Sequence, residues 1–247
     1  MGESFGAYKI GDDAAMLEVV TTANIACGFH AGDPMVIQRT IRNAKRNRVA
    51  IGAHPSFADF YGFGRRRIIG DRPEYLEAQL IYQIAAVRGM AAAEDHAITH
   101  VKTHGALGNM AAEDANLAET CVRAVMAVDP QLPFIALPFS ETEKAAEKAG
   151  LPVVREVFAD RTYTDQGQLT PRSEPGAVIL DIQQSVDQVL EMVVNRFIPT
   201  MGGKKLAVEP DTLCVHGDTP NAVQMALRLR EELTGAGVAI KSFTRPR

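Results

Sequence analysis

The stretch Thr99-His100-Val101-Lys102-Thr103-His104-Gly105 alternates in side-chain character and stops on a glycine. Side chains two apart on a strand share a face, so this spacing sets His100, Lys102 and His104 together, opposite Val101 and Thr103. Five more short apolar segments are built to a similar plan: Asn24-Ile-Ala-Cys-Gly-Phe-His30, Val49-Ala-Ile-Gly-Ala-His54, Pro133-Phe-Ile-Ala-Leu-Pro138, Val153-Val-Arg-Glu-Val-Phe-Ala-Asp160 and Thr212-Leu-Cys-Val-His-Gly-Asp218. Five of the six carry His, Asp or Lys toward the C-terminal end, where parallel α/β sheets and barrels place their active sites. The chain reads as an enzyme.

Helical periodicity separates most of these segments. Residues 33–48 open on Asp33-Pro34, an N-cap followed by proline at the first helical position. Further helices are expected over residues 73–93, 116–127, 141–149, 186–195 and 221–233. Strand and helix in alternation imply parallel pairing with helices outside. The apolar run Val238-Ala-Ile-Lys-Ser-Phe243 reads as a last strand. Residues 55–72 and 161–174 lack periodicity, follow strands and carry aromatics and arginines, which makes them candidate substrate loops on the rim. Residues 197–210, with Gly202-Gly-Lys-Lys205, read as a third loop that lacks the Gly-Lys-Ser/Thr ending of a P-loop.

At 247 residues the chain suits one barrel-sized domain spanning residues 1–247. With 46% apolar and 23% charged residues it can fill a full core. A net charge of −4 offers no basic stripe, so nucleic acid is not an expected partner. Three cysteines, Cys27, Cys121 and Cys214, are an odd number at no metal-like spacing, which points to a reducing, cytoplasmic compartment. No apolar run approaches the roughly 18 residues of a membrane span, and Met-Gly-Glu-Ser-Phe-Gly has no signal pattern. A soluble protein without membrane contact is expected.

Strand phase extends to the other segments. Asn24, Ala26, Gly28 and His30 fall together, as do Ala50, Gly52 and His54; Glu156, Phe158 and Asp160; and Cys214, His216 and Asp218. If the apolar partners face the helices, these sets converge inside, and the small residues leave room for a ligand. Burying that many ionisable groups costs several kcal/mol each unless they are paired, liganded or used, on the order given for unpaired polar burial. His96, near a helix end, reads as structural. Arg65, in Arg65-Arg-Arg67, is a candidate anion binder. The residues alone suggest hydrolysis of an amide-like bond, with Asp or His as general base and Lys or Arg stabilising an oxyanion. His30, His54 and His104 could in principle hold a divalent metal, although no HExxH-type signature is present.

The block Ala23-Asn-Ile-Ala-Cys-Gly-Phe-His-Ala-Gly-Asp-Pro34 closely resembles the LamB/YcsF family, described as the A component of the prokaryotic 5-oxoprolinase. The resemblance continues through Gly52-Ala-His-Pro-Ser-Phe57, Phe63-Gly-Arg-Arg66, His100-Val-Lys-Thr-His-Gly-Ala-Leu107, Glu156-Val-Phe-Ala-Asp-Arg-Thr-Tyr163, Pro171-Arg-Ser173 and Cys214-Val-His-Gly-Asp218. It implies an irregular, seven-stranded (β/α) barrel shared with metal-dependent polysaccharide deacetylases. It also implies ATP-dependent opening of the lactam of 5-oxo-L-proline to L-glutamate, ADP and phosphate, with partner subunits B and C. On that reading Lys102, His104, Asp160, His216 and Asp218 are catalytic, and Asn24, His30, His54, Arg65, Arg161 and Arg172 bind substrate. The rival readings are a metal-dependent amidase or deacetylase without ATP, and a non-catalytic 5-oxoproline-binding subunit.

Three departures from the family pattern stand out. Its opening strand, Asp-Leu-Asn-x-Asp, has no counterpart before Met1-Gly-Glu3, so a barrel with an open edge is expected. Lys-Pro-His-Gly is Lys102-Thr-His-Gly105 here, and Leu-Tyr-Asn is Leu107-Gly-Asn109. The second replacement removes a tyrosine from the expected pocket wall.

Overall fold

In the computed structural model, which describes residues 1–219 and 221–244, a strand forms in each of the six expected segments, and most of these strands stop before the polar residue that closes the segment. In chain order the elements are α1 (Asp13–Leu17), β1 (Thr22–Ala26), α2 (Pro34–Arg46), β2 (Ala50–His54), α3 (Pro73–Ala93), β3 (Ile98–Val101), α4 (Gly105–Glu113), α5 (Ala115–Val128), β4 (Phe134–Ala136), α6 (Glu141–Ala149), β5 (Val153–Phe158), α7 (Ile182–Val193), β6 (Phe197–Pro199), β7 (Lys205–Ala207), β8 (Thr212–Cys214) and α8 (Ala222–Gly235). Six strands pair in parallel in the order β1-β2-β3-β4-β5-β8. The sheet curls into a half-barrel.

Local signals explain most boundaries. Asp33 caps α2 by accepting from Met35 N at 2.8 Å and Val36 N at 2.9 Å. Ser140 caps α6 by accepting from Glu143 N, while the Glu143 carboxylate reaches back to accept from Phe139 N at 2.7 Å. That helix stops at Gly150, whose φ of 73° suits glycine. The expected helices at 73–93 and 141–149 match α3 and α6, whereas α7 begins four residues before the expected 186 because Asp181 caps it there.

Two expectations need correction. Residues 197–210 are more than a loop: β6 and β7 form an antiparallel hairpin, with Ile198 buried beneath it. The run Val238–Phe243 forms no strand. It packs Val238 and Ile240 against the second core and brings Ser242 Oγ to 3.3 Å from Thr22 Oγ1 and the Phe243 ring to 5.3 Å from His100.

Among the described residues the sheet holds six strands, in keeping with a seven-stranded type that lacks its first, and it is open between β1 and β8, where an open edge was expected. Met1 covers the end of the β1 edge: its ammonium donates to Asn24 O at 2.7 Å, and Ala26 N donates to Met1 O at 2.9 Å. Outside the sheet, Ile25, Ile51, Val101 and Phe134 pack with α2 to α6 in one core; Val157, Val189, Met192 and Leu229 form another with α7 and α8. The opposite strand faces carry the polar sets.

Inside the curl, Asn24 pairs in register with Gly52 on the next strand, and the His100 ring lies across Gly52 to reach Asn24. His100 Nε2 donates to Asn24 Oδ1 at 2.9 Å. A Cβ on Gly52 would stand 2.2 Å from His100 Nε2, so only glycine lets the ring cross. Gly52→Ala is therefore expected to destabilise the fold by at least about 1–3 kcal/mol, the usual range for overpacking a filled core; a denaturant midpoint equal to that of the wild type would show that the ring has room to move.

Candidate active site

A cavity of about 730 Å³ runs through the half-barrel, with His54, Lys102, His104, Glu156, Arg65 and His216 in its wall. Lys102 and Glu156 form a buried ion pair, linking the end of β3 to β5 across β4. Lys102 Nζ also donates to Cys214 Sγ at 3.2 Å and lies 4.8 Å from the Phe158 ring centre. Burial acts to lower the Lys102 pKa, but Cys214 and the Glu156 carboxylate outweigh it and hold the ammonium above its ordinary value. Burial pushes the Cys214 thiol up to about 12, which leaves it a neutral neighbour.

Beside this pair lies a carboxylate and imidazole couple. Asp160, fully buried, accepts from His216 Nδ1 at 2.8 Å and from Thr219 Oγ1 at 3.3 Å. Burial would raise the Asp160 pKa, yet the His216 hydrogen bonds and charge keep it below the usual carboxylate range. The donated Nδ1–H leaves His216 Nε2 with its lone pair. Asp218 does not join this couple: it pairs with Arg65 at 2.7 Å, and that guanidinium keeps its pKa low against the effect of burial.

The arginines divide. Arg161 is buried and donates to Ala177 O at 3.1 Å and to Thr170 O, so it holds the 161–174 loop in shape. Arg172, on the same loop, reaches the cavity beside Arg65 and Asp218. Asn24, expected to meet substrate, uses its side-chain oxygen on His100. His96 is buried and lies 3.2 Å from Val49 O, in the structural role expected of it.

Three histidines form a separate, drier group. His54 Nδ1 donates to Lys102 O at 2.6 Å, and His104 Nε2 donates to Phe63 O at 2.8 Å. His104 Nδ1 faces His54 Nε2 at 3.2 Å, and Glu3 Oε1 lies 3.8 Å from that same Nδ1. His30 stacks on His104 with ring centres 3.8 Å apart, and both its buried nitrogens lack a partner among the described residues. Burial drives the pKa of His30 and His54 well below the ordinary value and that of His104 to about 3, so all three are neutral near pH 7. The neutral donor set, the carboxylate beside it and the orphaned nitrogens fit a divalent metal ion. The 55–72 loop seals the group: a Cβ on Gly64 would meet Ser56 Oγ at 2.4 Å and His104 Cδ2 at 2.8 Å.

Strand phase thus brought together Lys102, His104, His54, His216 and Asp160, and missed Glu3, Glu156 and Cys214 as site residues. Glu156 and Cys214 lie in the same inward phase, which was the signal for them; Glu3 sits in a loop with no period to reveal it. The two replacements at 103 and 108 touch each other. A Cβ on Gly108 would come within 3.0 Å of Thr103 O and 3.2 Å of Thr103 Oγ1, so the threonine occupies the approach to that position.

The buried histidines dictate how stability varies with pH. His100 and His104 have folded pKa values of about 3, lowered chiefly by burial, against about 6.5 in an unfolded chain. Between these values the unfolded chain holds more protons, so stability is complete above about pH 6.5 and is lost as pH falls toward 3. Replacing His100 by Gln should flatten that dependence by up to about 1.4 kcal/mol per pH unit, one proton's worth. Denaturant melts across the window check this, and an unchanged slope would mean that His100 is not neutral in the folded state.

Comparison with known proteins agrees with this architecture. The LamB/YcsF family profile matches residues 1–247. The A component of 5-oxoprolinase from Azoarcus sp. (strain BH72) is 51% identical over 237 residues, covering 96% of this chain and 92% of the relative. That of Rhodopseudomonas palustris (strain ATCC BAA-98 / CGA009) is 46% identical over 243 residues, covering 98% and 96%. The crystal structure of the lactam utilization protein from Thermus thermophilus superposes with a TM-score of 0.92 at 44% identity, covering 98% of this chain and 97% of that one. On sequence and fold together, this chain belongs to the LamB/YcsF family.

Proposed function

We propose that this chain is the A component of an ATP-dependent 5-oxoprolinase, acting with companion subunits B and C on the lactam of 5-oxo-L-proline. The substrate class rests on the names of its relatives. The reaction class rests on one observation: His216, oriented by Asp160, faces the same cavity as the Lys102 ammonium.

Those positions support the following chemistry. His216 Nε2 takes a proton from water as the water oxygen adds to the lactam carbonyl carbon, and Asp160 stabilises the imidazolium that forms. Lys102 offsets negative charge gathering on the carbonyl oxygen, with Glu156 and Cys214 keeping its ammonium in place. A five-membered lactam resists hydrolysis; transfer of the γ-phosphoryl group of ATP to the carbonyl oxygen, with ADP leaving, makes that carbon electrophilic enough for the water to add. The C–N bond then breaks as the His216 imidazolium returns its proton to the ring nitrogen, which leaves glutamate as its side-chain acyl phosphate, and a second water releases phosphate and L-glutamate. Arg65 and Arg172 at the cavity wall suit the anionic groups of such a substrate. His104, with a pKa of about 3, is a poor base at neutral pH, so the base is assigned to His216.

The amidase reading draws support from the neutral histidine group, where a divalent metal would act as a Lewis acid on a carbonyl. Its own requirement, turnover without ATP, separates the two.

Glutamate release from 5-oxo-L-proline, measured with ATP and the B and C subunits, tests the assignment. His216→Gln and Asp160→Asn should each lower turnover by roughly 10²–10⁴-fold, the range for removing a general base. Lys102→Met alone would strand the Glu156 carboxylate, a change that costs about 3–5 kcal/mol when a buried pair is broken. The informative variant is Lys102→Met with Glu156→Gln, expected to fold and to be inactive. Full activity in either the dyad variants or the double variant would remove those groups from the mechanism.

A further inference from the structure

We propose that Glu3 Oε1, His54 Nε2 and His104 Nδ1 form a three-donor site for a divalent transition-metal ion, with His30 stacked on His104 as its polar neighbour. This deepens the reading of the same cavity under Proposed function, but metal binding can be measured whether or not the lactam is the substrate.

The geometry points there through hydrogen positions. A neutral imidazole carries one ring N–H. In His54 that hydrogen lies on Nδ1, donated to Lys102 O at 2.6 Å, and in His104 it lies on Nε2, donated to Phe63 O at 2.8 Å. The remaining nitrogens, His54 Nε2 and His104 Nδ1, are therefore both lone pairs, and they face each other at 3.2 Å. Two acceptors at that distance with no hydrogen between them repel. A cation between them reverses the sign.

Spacing and chemistry agree with this. The three donor atoms lie within 4.8 Å of one another. Donors on one zinc-like ion, with bonds of about 2.0–2.2 Å, stand roughly 3.3–3.6 Å apart in tetrahedral geometry, so the two imidazoles already hold nearly that separation. Glu3 Oε2 turns toward the Met1 ammonium at 4.0 Å, which leaves Oε1 for the histidines. Two imidazoles and one carboxylate suit zinc, manganese, iron or cobalt better than calcium or magnesium, which prefer all-oxygen shells. Each imidazole donates its other nitrogen to a backbone carbonyl, the outer support that metal-bound histidines usually have. Three protein donors leave room for a further ligand, and His30 lies alongside with only 1% of its surface exposed and both nitrogens unpartnered.

The test uses the tag-free full chain, stripped of metal and titrated with Co²⁺. The expected result is one ion per chain, visible d–d absorption of a four- or five-coordinate ion, and a rise in Tm. Glu3→Gln, a loop substitution, and His54→Gln should each weaken binding by about 10–100-fold or more, the scale on which even outer-shell changes act. His96→Gln, remote from the group, should bind as the wild type does. Because His54 is buried, circular dichroism of the variants is read alongside, and the Tm shift of folded Glu3→Gln carries the test if His54→Gln does not fold. Less than stoichiometric binding by the wild type, or wild-type affinity in folded Glu3→Gln, would overturn the site. Glutamate release measured in parallel keeps the two readings apart: turnover with no ion bound sinks only the metal site, and an ion bound with no turnover sinks only the lactamase.

Discussion

The ion pair between Lys102 and Glu156 joins β3 to β5 across β4, inside the curl and away from water. Removing two ions from water costs several kcal/mol each, and only close geometry with further partners offsets it. Here the partners are Cys214 from β8 and the face of Phe158. The pair thus collects three strands around one charge, and the polar wall of the cavity is arranged about it. Gly52 and His100 do the equivalent on the other side, tying β1, β2 and β3 together through Asn24.

These two clusters divide the interior by electrostatic character. Toward β5 and β8 the groups are charged and paired: Lys102 with Glu156, Asp160 with His216, Asp218 with Arg65. Toward β1, β2 and β3 they are neutral imidazoles, kept so by burial. A carboxylate and imidazole couple and a group of neutral imidazole lone pairs stand side by side in one cavity. That arrangement suits a reaction which must both activate water and hold a weakly reactive carbonyl.

Much of this was legible in the chain. Period-two alternation in segments such as Thr99–Gly105 and Thr212–Asp218 set the inward phase of Lys102, His104, Cys214 and His216, and apolar partners such as Val101 marked the helix side. What was not legible had separate causes. Helix α4 carries Gly105 and Gly108, poor helix formers, and its formation depends on packing against α5 and α6. The β6–β7 hairpin has strands of three residues, one ending in Pro199, too short for periodicity to register. The run at Val238 had the composition of a strand, but it docks through its side chains and makes no ladder with the open β1 edge beside it. Glu3 entered the site by long-range folding of a loop, for which a single sequence has no period.

Phe63, with a φ of 54°, turns its carbonyl onto His104, and the carbonyl of Lys102 does the same for His54. The Phe63 ring also packs edge-on against His104, with centres 5.4 Å apart, but truncating either residue to alanine leaves its carbonyl in the chain. Substitution scanning is blind to such groups, and histidines transplanted onto another barrel would arrive without a fixed tautomer. What the chain has to preserve there is a path of the backbone, which many sequences could trace and which few comparisons of side chains would detect.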